Sequence, residues 1–132
     1  MSLQPVPIQN VPGVPDYTCT AFLPKSSDYC LLIPVINEGS RILTELGRAQ
    51  KAGVDRLVDI VICDGGSTDG SMNPDTLELY GVNTLLVKTG PGKQGAQLRM
   101  GLHFALTFGY KGVLTIDGNN KDSIEDVPEF VA

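Results

Sequence analysis

Val58-Asp-Ile-Val-Ile-Cys-Asp-Gly-Gly-Ser-Thr-Asp-Gly-Ser71 decides the fold. Ile60, Val61 and Ile62 are β-branched and uninterrupted, which suits a strand of a parallel sheet covered on both faces. The run breaks at Asp64-Gly65-Gly66-Ser67-Thr68-Asp69-Gly70, a string of turn formers and helix caps. A buried strand therefore delivers Asp64 to its C-terminal end, and a polar glycine-rich loop follows. In open α/β sheets, ligands bind outside the carboxyl ends of the strands.

Working outward, the same alternation recurs. Tyr29 to Ile36 reads as a strand, with Pro34 marking its end or an exposed edge because proline cannot donate to a ladder. Asn37 or Ser40 is placed to cap a helix whose apolar stripe is Ile42, Leu43, Leu46 and Ala49, closed by Gly53. The central strand spans 57–63. A helical or irregular stretch begins at Asp69 or Ser71, with Leu77, Leu79 and Tyr80 as its apolar contacts. Val82 to Val87 is a third strand, and 89–95 a loop. Ala96 to Phe108 is a helix with Leu98, Leu102, Ala105 and Leu106 on one face. Lys111 to Ile116 is a fourth strand, and Ile124, Val127 and Val131 open a last helix with Pro128 in its first turn. Strands alternating with helices at these lengths mean right-handed βαβ units. The expected fold is α/β: an open, Rossmann-like, mainly parallel sheet with helices on both faces. Residues 1–27 carry five prolines and read as an extended arm outside the core. Val6, Ile8, Val11 and Val14 are its candidate surface contacts. Residues 28–132 form the domain.

The chain has 132 residues, 42% of them hydrophobic and 19% charged, as in an ordinary globular domain. Its net charge of −5 supplies no basic field for nucleic acid or anionic lipid. Three scattered cysteines, Cys19, Cys30 and Cys63, read as buried free thiols in a reducing, cytoplasmic compartment. No apolar run reaches the ~20 residues of a membrane span. Membrane association in a longer parent protein is compatible with this. His103, mid-helix among apolar neighbours, reads as structural.

Four segments follow strand C-termini or lie on the next helix: Asn37 and Glu38, Asp64 to Asp69, Lys93 to Arg99, and Asp117 to Asp122. In a parallel sheet they open onto one edge. Asp64 is suited to accept from a base or a ribose. Asp117 and Asn119 offer hard oxygen ligands for Mg²⁺ or Mn²⁺. Lys93 and Arg99 can pair with phosphate.

Ile33-Pro-Val-Ile-Asn-Glu38, Cys63-Asp-Gly-Gly-Ser-Thr-Asp-Gly-Ser71, Gly92-Lys-Gln-Gly-Ala-Gln-Leu-Arg-Met-Gly101 and Thr115-Ile-Asp-Gly-Asn119 together resemble family 2 glycosyltransferases of the GT-A fold. Those enzymes show P-x-x-N-E, D-D/G-G-S-T/x-D, G-K-G-x-A-x-x-x-G and D-x-D motifs in this order. The resemblance runs from about residue 29 to 131. The tail from Asp122 to Val131 is most similar to the polyprenol (dolichol) phosphate mannosyltransferase branch. The resemblance implies a UDP- or GDP-linked sugar as donor and a divalent metal. It also implies an acceptor such as a polyprenyl phosphate. Pro34, Asn37 and Glu38 would line the nucleotide pocket, Asp64 would contact the base, and the segment from Lys93 to Arg99 would lie near the diphosphate. Asp117 and Asn119 would stand where the D-x-D meets ribose and metal. Asn119 replaces an acid and weakens that metal site. Lys121 stands where the branch tends to carry another ligand, and its ammonium is a candidate substitute for part of the metal's charge.

The family's acceptor half and any catalytic base lie downstream of such a segment. The chain is therefore expected to be a fragment of a longer enzyme or a donor-binding module, with a homo-oligomer a candidate state. Two other readings stand. Gly90, Gly92 and Gly95 match the dinucleotide motif G-x-G-x-x-G, with Asp117 about twenty residues on as the ribose acid of an NAD(P) site. The chain would otherwise be a non-catalytic nucleotide-binding or interaction module.

Overall fold

The computed structural model describes residues 2–5, 13–121 and 123–131. Val6, Ile8, Val11 and Asp122 lie outside them. The strands are β1 (Ser2–Pro5), β2 (Tyr17–Ala21), β3 (Tyr29–Val35), β4 (Asp59–Asp64), β5 (Thr84–Lys88) and β6 (Gly112–Thr115). The helices are α1 (Ser40–Lys51), α2 (Val54–Leu57), α3 (Pro74–Leu79), α4 (Gln94–Thr107) and α5 (Val127–Val131), the last preceded by a single 3₁₀ turn over Ile124–Asp126. The sheet order is β1-β2-β5-β4-β3-β6. The pairings β3·β4, β4·β5 and β3·β6 are parallel, and β1·β2 and β2·β5 are antiparallel. The fold is thus α/β with a mixed, mostly parallel sheet.

Alternation along β3 and β4 sorts their side chains between two helical layers. Leu31, Ile33, Val35, Ile60 and Ile62 pack against Ile42, Leu46 and Ala49 of α1, with Val54, Leu77, Ile124 and Val127 completing that core. Cys30, Leu32, Val61 and Cys63 face Met100, Phe104 and Ala105 of α4. All three cysteines are free and buried. Burial pushes the Cys19 thiol up to about 11 and, with the Asp59 charge adding, Cys30 up to about 12. Burial raises Cys63 as well. At neutral pH these thiols stay protonated, so they are packing groups and not nucleophiles.

Several expectations are corrected. Residues 17–21, read as part of an arm, form β2 in the sheet, with Tyr17 and Cys19 buried against α4 and Tyr17 hydroxyl hydrogen-bonded to His103 Nδ1 at 2.9 Å. Prolines flank this strand without interrupting it. Pro34 ends a central strand and not an edge: its neighbour in register is Cys63 of β4, and its carbonyl accepts from Gly118 N–H at 3.3 Å. The buried face of α4 is Ala96, Gln97, Met100, Gly101, Phe104 and Ala105, whereas Leu106 is 80% exposed. The reason lies at Gly101, where a Cβ would sit 2.7 Å from Cys63 Sγ. The helix comes close to the sheet at that point, so a small residue takes the contact while Met100 and Phe104 fill the space to either side. Asn73, not Asp69 or Ser71, caps α3, accepting from Asp75 and Thr76 N–H at 3.0 and 3.3 Å. Gly39 is the cap residue of α1, with no side-chain cap bond from Asn37 or Ser40. Among the described residues no helix is long and apolar enough to cross a membrane.

Candidate functional site

The chain runs β3, β4, β5 in one direction across the sheet and then returns to lay β6 on the other flank of β3. The segments leaving β3 and β6 lie side by side there, and both lead to the α1 layer of the sheet. A crevice opens where the strand order reverses, at the carboxyl ends. The cavity there encloses about 540 Å³, ample for a nucleotide-sized ligand. Pro34, Val35, Ile36 and Glu38 line it from β3, Gly65 from β4 and Lys88 from β5. Gly92, Lys93, Gln94 and Gln97 contribute from the start of α4, and Asp117 and Asn119 from beyond β6.

Of the eight residues singled out in the sequence, Pro34, Glu38, Lys93, Asp117 and Asn119 line this cavity. The other three have different partners. Asp64 is 2% exposed, and its carboxylate accepts the Ser67 N–H at 3.0 and 3.2 Å and the Ser67 hydroxyl at 2.7 Å. Asn37 takes a left-handed φ of 48°; its Oδ1 accepts from Thr68 N–H at 2.8 Å, and its own N–H donates to Ser67 Oγ at 2.9 Å. Arg99 Nε donates to the Gly13 carbonyl. Asp69 completes the linkage between the two loops, accepting from Gly39 N–H at 3.1 Å and from Ser71. The bonds from Ser71 hold its carboxyl below the usual range. The glycine-rich loop after β4 is thus stitched to the loop after β3.

Glu38 Oε2 pairs with Arg41 at 3.0 Å. Lys93 is the cap residue of the 14-residue α4, where free N–H groups and the helix dipole favour an anion. Gly92 precedes it at φ 116°, a conformation open to glycine, and a Cβ there would lie 2.5 Å from Ala96 Cβ. Lys88 Nζ donates to the Gly90 carbonyl at 2.8 Å beside the same wall. Gly90 itself serves the protein: its N–H and that of Thr89 donate to the Asp16 carbonyl at 3.0 and 2.8 Å.

For a divalent cation the crevice offers the Asp117 carboxylate and the Asn119 amide oxygen. Gln94 Nε2 approaches Asp117 Oδ2 at 3.4 Å, and Asn119 Oδ1 accepts from Lys121 N–H at 3.0 Å. Among the described residues no three His, Cys, Asp or Glu side chains gather as a metal cluster. One carboxylate and one amide fit magnesium that arrives with phosphate oxygens and keeps several waters. Lys121 is exposed and does not line the cavity.

The Asp117–Asn119 loop is positioned from below. Asn120 at φ 63° donates its N–H to Glu45 Oε1 at 3.0 Å, and its Oδ1 accepts from Arg48 Nη1 at 2.6 Å. Arg48 also forks onto Glu125, with Nε and Nη2 at 2.7 and 2.6 Å from the two oxygens. These bonds hold the Glu125 carboxyl far below its ordinary 4.5, at about 2. A carboxyl lowered on folding adds stability above its unfolded value and loses it as pH falls through the folded one. Glu125→Gln is therefore expected to be less stable than wild type at pH 7, with the gap closing between pH 4.5 and about 2. Urea melts of both proteins across that range check it, and a gap that persists at pH 2 would refute the assignment.

Pattern reading missed Lys88, and it held Gln97 and Gly65 only as members of their segments, with no role of their own. A glutamine on an amphipathic helix looks like part of the wet face, and only the strand ends it meets reveal its place. Compared with protein-family models, curated proteins and solved structures, the chain finds no match.

Proposed function

We propose that this chain binds a nucleoside-diphosphate sugar, UDP- or GDP-linked, as the donor half of a family 2-like glycosyltransferase. The observation that carries the reading is the meeting of Pro34, Glu38, Lys93, Asp117 and Asn119, from three separate sequence motifs, around one cavity at the strand-order reversal. In this reading the apolar stretch Pro34 to Ile36 packs against the base. Lys93 and the α4 N-terminus balance the diphosphate charge. Asp117 and Asn119 would hold Mg²⁺ or Mn²⁺ together with the diphosphate. Bound there, the metal supplies charge stabilisation to the departing diphosphate when an acceptor oxygen, such as that of a polyprenyl phosphate, displaces it.

The competing dinucleotide reading takes Gly90 for the tight turn and Gly92 for the pyrophosphate, and leaves Pro34 and Glu38 on the cavity wall unexplained. Thermal melts separate the possibilities. UDP, GDP or their hexose conjugates at about 100 times Kd are expected to stabilise the fold by about 2.7 kcal/mol, roughly 8 °C for a domain of this size. A shift with NAD(P) alone would overturn the proposal in favour of the dinucleotide site. No shift with either would favour an interaction module. Repeating the titration with EDTA decides between metal and Lys121: tight, EDTA-sensitive binding argues against the lysine.

A further inference from the structure

We infer that Gln97 reads the nucleobase, its side-chain oxygen accepting the imino N–H of uracil or guanine. This rests on the nucleotide reading above and names the chemistry of its base subsite.

Gln97 is 3% exposed on the buried face of α4, yet it lines the crevice. A buried amide is costly unless its polar atoms are met. Its nitrogen is met twice, donating to the Val35 carbonyl at 2.8 Å and the Cys63 carbonyl at 2.9 Å. Those two acceptors fix which end of the amide is which. The reversed amide would set its oxygen against two carbonyl oxygens. Both N–H bonds are thus spent on the ends of β3 and β4, and the oxygen remains. Among the described residues nothing donates to it. Gly65 keeps the amide uncovered: a Cβ there would stand 3.0 Å from the amide carbon and 3.2 Å from its oxygen.

The neighbours say what that oxygen meets. Pro34, Val35 and Ile36 supply an apolar wall of the same cavity, and the cations Lys88 and Lys93 line it as well. A base against the wall and phosphates toward the cations fit that division. Asp64, the other acceptor near the ends of these strands, is occupied by Ser67 and does not line the cavity. Of the other acceptors that line the cavity, Glu38 is paired with Arg41, and Asp117 and Asn119 are assigned above to the metal, so Gln97 is the one left for a base edge. Uracil N3 and guanine N1 carry hydrogen there. Cytosine N3 and adenine N1 carry a lone pair, which would face the lone pairs of Gln97.

Calorimetry with UDP, CDP, GDP and ADP, each with magnesium chloride, tests this on wild type and on Gln97→Met, which keeps the bulk and removes the oxygen. Wild type is expected to prefer UDP over CDP and GDP over ADP by about tenfold or more, as expected when a buried polar pair is lost. Gln97→Met is expected to bring both ratios within about threefold, a change that a purely structural role would not produce. Should that variant fail to fold, wild type with N3-methyl-UDP gives the same reading, and methylation must cost about tenfold. Equal affinities for UDP and CDP and for GDP and ADP, ratios unchanged in Gln97→Met, or indifference to methylation would overturn the base-reading role and leave the nucleotide site standing. Failure of all four nucleotides to bind would end both proposals.

Discussion

Asp59→Ala is expected to lower the unfolding free energy by about 3 kcal/mol and the midpoint by about 10 °C, without altering the crevice. Asp59 opens β4 at the end of the sheet opposite the cavity, buried to 2% exposure. Its carboxylate accepts from Ser26 N–H at 3.0 Å, Ser26 hydroxyl at 2.7 Å and Tyr110 hydroxyl at 2.7 Å. Burial first, and then hydrogen bonding to Asp59, raise the Tyr110 phenol and keep it a donor. Alanine strands that buried hydroxyl and frees the 24–28 segment from the sheet. Each lost bond to a charged acceptor is worth about 1.5–3 kcal/mol. Tyr110→Phe removes one donor from Asp59 Oδ2, which keeps the Ser26 N–H at 3.0 Å. Its cost is expected to be about 1–2 kcal/mol. Combining the two should cost less than their sum, because the Asp59–Tyr110 bond is removed only once. Additive losses in chemical denaturation would mean that this bond carries none of the effect.

Gly118→Ala acts at the other end and is expected to strike binding harder than stability. A Cβ at Gly118 would lie 2.6 Å from Val35 Cγ1 and 3.0 Å from the Pro34 carbonyl oxygen. The methyl cannot be accommodated without moving the segment between Asp117 and Asn119 away from β3. Overpacking of this kind costs about 1–3 kcal/mol. Displacing both candidate ligand groups is expected to weaken UDP or GDP binding by at least about tenfold, since misplacement of about 1 Å is enough to disable a polar site. Val35→Ala in the same background removes the nearer clash and should restore part of the stability. Full nucleotide affinity in Gly118→Ala would rule out a binding role for this loop.

The parts of this architecture that were readable from residues alone are those governed by local rules. The run from Ile60 to Ile62 and the glycines after it announce a buried strand and its turn. The α1 stripe is carried by helical spacing. What escaped depends on partners far off in the chain. Tyr17 to Ala21 is a short strand between prolines, and its place in the sheet comes from β5, over sixty residues later. Asp64 has the residue type for a ligand contact, but Ser67 three positions on claims its oxygens. Arg99 looks like a phosphate partner, and the backbone of Gly13 occupies it. Gln97 is the converse case: nothing in its neighbours along the helix distinguishes it. Its role appears only when the ends of β3 and β4 come to lie beside it.

The cross-stitching between Asn37, Ser67, Thr68, Asp69 and Gly39 has an implication for how this molecule would change over generations. Two rims of the opening are sewn to each other rather than to any guest, so they keep their shape when the guest is swapped. Substitutions at Lys93 and Gln94, outside that stitching, are then the economical route to a new preference. Alterations among the sewn residues would loosen both rims at once and discriminate against nothing in particular.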